Sequence, residues 1–175
     1  MFRPERSESD PRPRVARPFL LLCSPLMSAA EIEFSGAREK DLPAIKELLT
    51  ANQLPIAGVD EHWKTFIVAR EGERIIGCGG AETHEFVALI RSIAVQEDRR
   101  GTGVGRRIVR QLLDRLASRG IRQFYLVTTT AEDYFRKRGF KSIDRDEIHP
   151  QLLGSAELQG DCSSTATCMR LVMLS

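Results

Sequence analysis

The residues best placed to do chemistry lie in Val95-Gln96-Glu97-Asp98-Arg99-Arg100-Gly101-Thr102-Gly103-Val104-Gly105-Arg106-Arg107, where an apolar run gives way to alternating glycines and then to an amphipathic stretch. Glycines carry no Cβ, so successive backbone N–H groups can converge on a pyrophosphate, and a helix beginning there adds the positive end of its dipole. Arg100, Arg106 and Arg107 can supply charge-assisted hydrogen bonds to the same oxygens. A glycine-rich turn alone is also an ordinary strand-to-helix connection, so the spacing has to discriminate. A Walker loop needs Lys and then Ser or Thr after its second glycine; Gly105 is followed by Arg106 and Arg107, which disfavours nucleotide hydrolysis. The order Arg-Gly-Thr-Gly-Val-Gly also differs from G-x-G-x-x-G, and four strand-like segments precede it where a Rossmann unit has its first strand.

Around this turn the hydrophobic pattern dictates a scaffold. Ile32-Glu33-Phe34-Ser35 alternates like a first strand, and Asp41 stands as the cap of a helix with Leu42, Ile45, Leu48 and Leu49 at helical spacing. Residues 52–65 read as a loop or short helix. Residues 65–69 and 75–81 flank Glu71-Gly72-Glu73 like the arms of a hairpin. Residues 86–95 form an almost continuous apolar run, broken only by Arg91 and Ser92, as a strand covered on both faces does. From 103 to 119, Val104, Ile108, Val109, Leu112, Leu113 and Leu116 make one stripe of a helix that Gly120 ends. Residues 124–127 read as a buried strand, Thr130 as the cap of a short helix through Arg138, Gly139-Phe140 as the turn into an edge element, and 168–173 as the last strand.

Composition sets the outer limits. With 26 Lys+Arg against 24 Asp+Glu the net charge is +2, too small a basic excess for nucleic acid, which leaves a small-molecule partner. Cys23, Cys78, Cys162 and Cys168 have neither the CxxC pairs of a zinc site nor the density of a disulfide scaffold, so no metal and a cytoplasmic location are expected. Residues 1–27 interleave Arg3, Arg6, Arg12, Arg14 and Arg17 with Pro4, Pro11, Pro13 and Pro18, and read as a disordered extension ahead of one domain at 28–175. Phe19-Leu20-Leu21-Leu22-Cys23 superficially resembles a signal peptide, but Pro25 interrupts it. No stretch approaches the roughly 20 apolar residues that span a bilayer, so no membrane partner is expected.

The order of elements resembles the GNAT superfamily of N-acetyltransferases over residues 32–174. Arg100, Gly103 and Gly105 meet its pattern Arg/Gln-x-x-Gly-x-Gly/Ala, and Tyr134-Phe135-Arg136-Lys137-Arg138-Gly139-Phe140 supplies its aromatic pair, charged stretch and Gly-Phe. The resemblance implies an α/β GNAT fold, with a mixed, mostly antiparallel sheet of about six to seven strands flanked by about four helices. It implies acetyl-CoA as cosubstrate, with the pantetheine arm paired to the backbone of Ile93, Ala94 and Val95. Amides of Arg100, Gly101, Thr102, Gly103, Val104, Gly105 and Arg106 then hold the pyrophosphate, and the thioester lies in a splay between that strand and residues 124–127. Strand edges in this fold pair between subunits, so the same resemblance implies a homodimer. Residues 89–95 and 127–135 look closest to the amino-acid acetyltransferases of the N-acetylglutamate synthase type and to the acetyltransferases encoded with arsenic-resistance genes. The tail Cys162-Ser163-Ser164-Thr165-Ala166-Thr167-Cys168-Met169 leans toward the second branch.

The reaction so implied is direct attack of a neutral primary amine on the thioester, with a strand N–H near Ile93 or Ala94 on the developing oxyanion and no covalent intermediate. The family's usual acid is a tyrosine four residues before the final glycine. Phe135 stands there, leaving Tyr134 as candidate acid or core aromatic, and Phe135 as a residue packed on the cofactor. Leu89 occupies the usual glutamate base position, so Glu82 and His84 remain, either as bases acting through water or as solvated loop residues. An α-amino group, with a pKa of about 7.7–8.0 against about 10.4 for lysine, needs little help. Arg91 either binds, with Ser92 and Thr129, the carboxylate of an amino-acid-like acceptor, or closes an internal salt bridge. Direct arsenic binding by Cys162 and Cys168 is disfavoured, because such thiols are ordinarily small buried hydrophobes. Two other functions stay open: an acetyl-CoA sensor without turnover, and a peptide acetyltransferase if residues 52–63 leave a long groove.

Overall fold

The apolar runs pair into one seven-stranded sheet, in the order β1-β2-β3-β4-β5-β7-β6. The strands are β1 (Ile32–Gly36), β2 (Ile67–Glu71), β3 (Arg74–His84), β4 (Val87–Val95), β5 (Gln123–Thr128), β6 (Lys141–Ile143) and β7 (Thr167–Val172). The helices are α1 (Leu42–Ala51), α2 (Val59–His62), α3 (Val104–Ala117), α4 (Glu132–Arg136) and α5 (Ala156–Gln159). This computed structural model describes residues 31–159 and 166–173. The expected N-terminal extension with Cys23, and Cys162 with Ser163, Ser164 and Thr165, lie outside those residues. Every pairing is antiparallel except β4 with β5, so the sheet is mixed and mostly antiparallel, as the sequence implies; α2 and α5 are single turns that bring the helices among the described residues to five.

Alternation along the strands divides the core into two layers. On one face Ile108, Leu112 and Leu116 of α3 pack on Ile76, Ile90, Phe124 and Leu126. On the other, Ile45 and Leu49 of α1 cover Val68, Cys78 and Ala94, while Ile148, Leu152 and Leu158 cover Val87, Leu89 and Tyr125. β4 is therefore covered on both sides, which is why its sequence is nearly unbroken apolar. The β2–β3 hairpin turns at Gly72 with φ +59°, and α3 gives way to β5 through Gly120 at φ +93°, both where the sequence places them.

Two caps differ from expectation. Asp41 occupies the N-cap position of α1 without capping it by its side chain. Its buried carboxylate instead accepts the backbone N–H of Arg38 at 2.7 Å and the guanidinium of buried Arg70. Burial opposes its charge, but these partners hold the carboxyl below the usual range. Thr130 does not cap α4: the N-cap is Ala131, whose N–H donates to Thr128 Oγ1 at 3.0 Å, and the helix ends at Arg136.

β3 carries Gly80 where it crosses under Phe66. A Cβ at Gly80 would sit 2.1 Å from the Phe66 ring, and Phe66 is fully buried with nowhere to retreat. Gly80→Ala is expected to destabilise the fold by about 1–3 kcal/mol, read as a lower Tm, with Phe66→Leu in the same background recovering part of the loss. A Gly80→Ala protein melting with the parent would contradict this packing.

Candidate active site

β4 and β5 pair over only three residue pairs, Val87 with Gln123, Ala88 with Phe124 and Leu89 with Tyr125, and then part. Immediately beyond, β4 bulges. Cys78 pairs with Ala94 and Gly80 with Arg91, so Ser92 and Ile93 together oppose Gly79. Ser92 adopts φ +57°, a left-handed conformation that costs a non-glycine residue free energy and persists only where its surroundings hold it. Its carbonyl accepts from Cys78 Sγ at 3.5 Å, and its hydroxyl accepts from Arg91 Nε at 3.3 Å. Burial pushes the Cys78 thiol up to about 12, so it stays a neutral donor. The bulge itself is absent from the sequence reading; its one signal is a polar pair inside an apolar strand.

The glycine-rich turn lies at the far end of the splay. Gly101 and Gly103 have φ of +77° and +91°, so glycine there serves backbone geometry. The first hydrogen bond of α3 among these residues runs from Arg107 N–H to Gly103 O at 3.0 Å, leaving the amides of Val104, Gly105 and Arg106 as unpaired first-turn donors. A cleft of about 640 Å³ opens beside them, lined by Ile93, Val95, Arg100, Gly101, Thr102, Gly103, Gly105, Arg106, Tyr134 and Phe135. Ala94 and Val104 belong to the same backbone path, but their side chains are buried in the two core layers. Arg100 spans the mouth, with Nη2 2.8 Å from Asn52 Oδ1 and Nε 3.4 Å from Val95 O. Arg107 lies elsewhere, stacked 4.3 Å from the Phe34 ring centroid, so its phosphate role read from sequence gains no support.

α4 closes the cleft. The Tyr134 hydroxyl is buried without a hydrogen-bond partner among the described residues, and a Cβ at Gly105 would lie 3.3 Å from it. An orphan buried hydroxyl costs about 1–3 kcal/mol, a cost that a ligand can relieve. The Arg138 guanidinium stacks 3.3 Å from the Tyr134 ring centroid. Burial raises the phenol's pKa against the opposing pull of Arg138 and Arg106, so the Tyr134 hydroxyl keeps its proton. Phe135 is buried edge-to-face against Tyr134 and Phe140, core first and cleft wall second. The sequence reading missed Asn52, Ala131 and Arg138 as cleft residues. Asn52 resembles an ordinary helix end, and its Nδ2 does donate to Leu48 O at 2.8 Å.

On the opposite face of β4 the reading of Glu82 as a solvated loop residue needs correction. Glu82 is buried within β3, paired with Leu89 in register, because Arg91 neutralises it there. His62 Nε2 stands 3.9 Å from its other oxygen. His84 is exposed at the strand end. Arg91 has a side chain 0% exposed and forms ion pairs with Glu82 and with Glu157, the latter at 3.1 Å. Ser92 adjoins it, whereas Thr129 is exposed past the end of β5 and makes no hydrogen bond to either. The described residues contain no group of His, Cys, Asp and Glu able to hold a metal ion, and no helix long and apolar enough to cross a membrane.

Residues 62–142 match the model of the acetyltransferase (GNAT) domain. That match spans just under half of the chain, and both the splay and the glycine turn fall within it. Among curated proteins it is similar to an uncharacterized N-acetyltransferase of Chlorobaculum tepidum, 29% identical over 133 residues that cover 71% of this chain and 84% of that protein. It is also similar to an amino-acid acetyltransferase of Aeromonas salmonicida, 29% identical over 87 residues that cover 49% of this chain and only 20% of that protein. In fold it resembles N-acetylglutamate synthase from Neisseria gonorrhoeae, solved with coenzyme A and N-acetyl-glutamate, at TM-score 0.71 and 19% identity, covering 83% of this chain and 36% of that one.

Gly105→Val fills the space beside the Tyr134 hydroxyl and Val95, whose nearest atoms lie 3.3 and 3.4 Å from a Cβ there. The variant is expected to weaken coenzyme A binding by about tenfold or more, an effect of at least about 1.4 kcal/mol, with little change in Tm. Calorimetry showing an unchanged Kd would detach the cleft from coenzyme A.

Proposed function

We propose that the protein transfers the acetyl group of acetyl-CoA to the primary amine of a small, amino-acid-like acceptor by direct attack. The observation that carries this reading is the meeting, along one strand edge, of the β4–β5 splay, the bulge at Ser92 and the amide-rich start of α3. The pantetheine arm pairs with the free edge of β4 at Ile93, Ala94 and Val95. The pyrophosphate sits on the amides of Gly101, Thr102, Gly103, Val104, Gly105 and Arg106, with Arg100 turning from Asn52 onto an oxygen.

In the chemical step the amine nitrogen forms a bond to the thioester carbon, and a backbone N–H at the bulge receives the oxyanion. The carbon–sulfur bond then breaks and Tyr134 gives its proton to the departing thiolate. The proton released by the amine passes through water to Glu82, which half-exposed His62 connects with solvent. Arg91, with Ser92, receives the acceptor's carboxylate. The likeness to relatives named as amino-acid acetyltransferases supports that acceptor class, and disposal of an arsenic-containing or other toxic amino-acid analogue in the cytoplasm is the physiological setting we assign. A homodimer is part of the same proposal. A second reading, an acetyl-CoA sensor without turnover, is favoured by fully buried Leu89 at the usual base position and by Phe135 in the core.

Free-thiol release from acetyl-CoA, measured against amino acids, amino-acid-like arsenicals and phosphinates, polyamines and short peptides, separates these readings. Release with an amino-acid-like amine is the expected result; tight binding with silence across the panel selects the sensor. In the active case Tyr134→Phe is expected to lower kcat by about 10²-fold or more and leave the KM for acetyl-CoA nearly unchanged. Full kcat in that variant removes Tyr134 from the chemistry.

A further inference from the structure

The charge cluster behind β4 is more elaborate than acetyl transfer requires. Arg91 meets Glu82 through Nη1 and the carbonyl of Ala57 through Nη2, and the same Nη2 lies 3.1 Å from Glu157 Oε2. Two carboxylates therefore share one guanidinium, and they are held very differently. Glu82 belongs to β3, hydrogen-bonded to the strand that carries Arg91, so its place is fixed by the sheet. Glu157 arrives on α5, a single helical turn, and keeps 16% of its side chain exposed. Its Oε2 is buried with no hydrogen bond among the described residues, so the ion pair with Arg91 is what compensates its lost hydration. Burial pushes its carboxyl pKa up, Arg91 pulls it down, and Glu82 pushes it up again.

We infer that Glu157 is a specificity-determining residue: it holds on Arg91 the position that the carboxylate of an amino-acid-like acceptor takes during turnover, and such an acceptor must displace it. This rests on the reading of Arg91 as the acceptor's carboxylate site. Charge supports the exchange, because replacing one carboxylate by another leaves no buried guanidinium short of a partner, whereas simple withdrawal of Glu157 does. Access supports it too, since a guanidinium with no exposed surface is reached only after one of its partners moves. Of the two carboxylates, Glu157 is the one on a short surface element. The cluster adjoins the Ser92 bulge on the face of β4 away from α3, from which an amine approaches a thioester lying in the splay. Acceptors without a carboxylate draw nothing from Arg91 and leave Glu157 seated, so the displaced contact acts as a filter.

The test compares the full chain with its Glu157→Gln variant. KM is measured for an amino acid that the parent protein acetylates and for its α-carboxamide, and glutarate, a dicarboxylate with no amine, is titrated calorimetrically with acetyl-CoA saturating. The expected result is a rise of about tenfold in the ratio of amide KM to acid KM, the scale of one charge-assisted hydrogen bond. Glutarate affinity is expected to rise by a similar factor. An unmoved ratio, a parallel change in both KM values, or glutarate binding no tighter than in the parent overturns the inference. If the Gln variant loses acetyl-CoA binding, Glu157→Asp, which withdraws the carboxylate by one methylene, must move both readouts in the same direction. Tighter glutarate binding without acetylation of any amino acid upholds Glu157 as the occupant and refutes the acceptor class alone. Acetylation of amino acids with both readouts unmoved refutes the role of Glu157 alone.

Discussion

The parting of β4 from β5 after Leu89 governs the rest of the molecule. Separating two paired strands inside a sheet leaves a row of N–H and C=O groups that must be met by something, because unpaired buried backbone is costly. Water can meet them, and so can an extended arm bearing its own amides. The bulge at Ser92 enforces the separation by adding a residue opposite Gly79 and bending the strand. The glycine turn then follows directly from the same strand, so the helix dipole, the free amides and the open edge fall along one line. β5 stays anchored along its whole length by pairing with β7 on its other side, while its groups that face the splay remain open.

Holding that bulge open has electrostatic consequences on the opposite face. Arg91 is carried inside by its position between Ile90 and Ser92 and cannot reach solvent, so it requires anionic partners within the protein. Glu82 and Glu157 provide them, and the buried polar groups of Thr65 and Asp41 are likewise answered by specific neighbours. Thr65 Oγ1 donates to Ala81 O at 2.6 Å and accepts from Ala81 N–H at 3.1 Å. Asp41 is answered by Arg70. These contacts tie the start of α1 to β2 and the residues ahead of β2 to β3 without adding apolar area, so this face of the sheet is shaped by polar pairing while the opposite face is shaped by α3 packing.

Much of this was legible in the sequence because it is local. The hydrophobic pattern placed α1, α3 and six of the strands, since burial on one face or both writes itself into the spacing of Leu, Ile and Val, whereas the edge element β6 was read from the Gly139-Phe140 turn. The glycine turn was legible because Gly101 and Gly103, which both take positive φ, stand two residues apart. The caps of α1 and α4 were misread because capping depends on which competitor reaches the orphan amide first: Arg70 draws Asp41 away, and Thr128 outreaches Thr130. The partners of Arg91 were not legible either, since Glu82 lies nine residues before it and Glu157 on a separate element, brought together only by the sheet and the C-terminal turn. Burial of Glu82 follows from the same long-range pairing, so a strand-end glutamate that looks solvated turns out to be enclosed. Asn52 and Arg138 became cleft residues through tertiary placement, which no spacing rule records.

The most direct measurement of the central claim is amide hydrogen exchange of the full chain with and without coenzyme A, resolved to single residues. The account predicts added protection at residues 93–95, along the free edge of β4, and at 101–106, at the start of α3, with the β1–β2 ladder unchanged. Protection that appears elsewhere while these two segments exchange as in the free protein would contradict it.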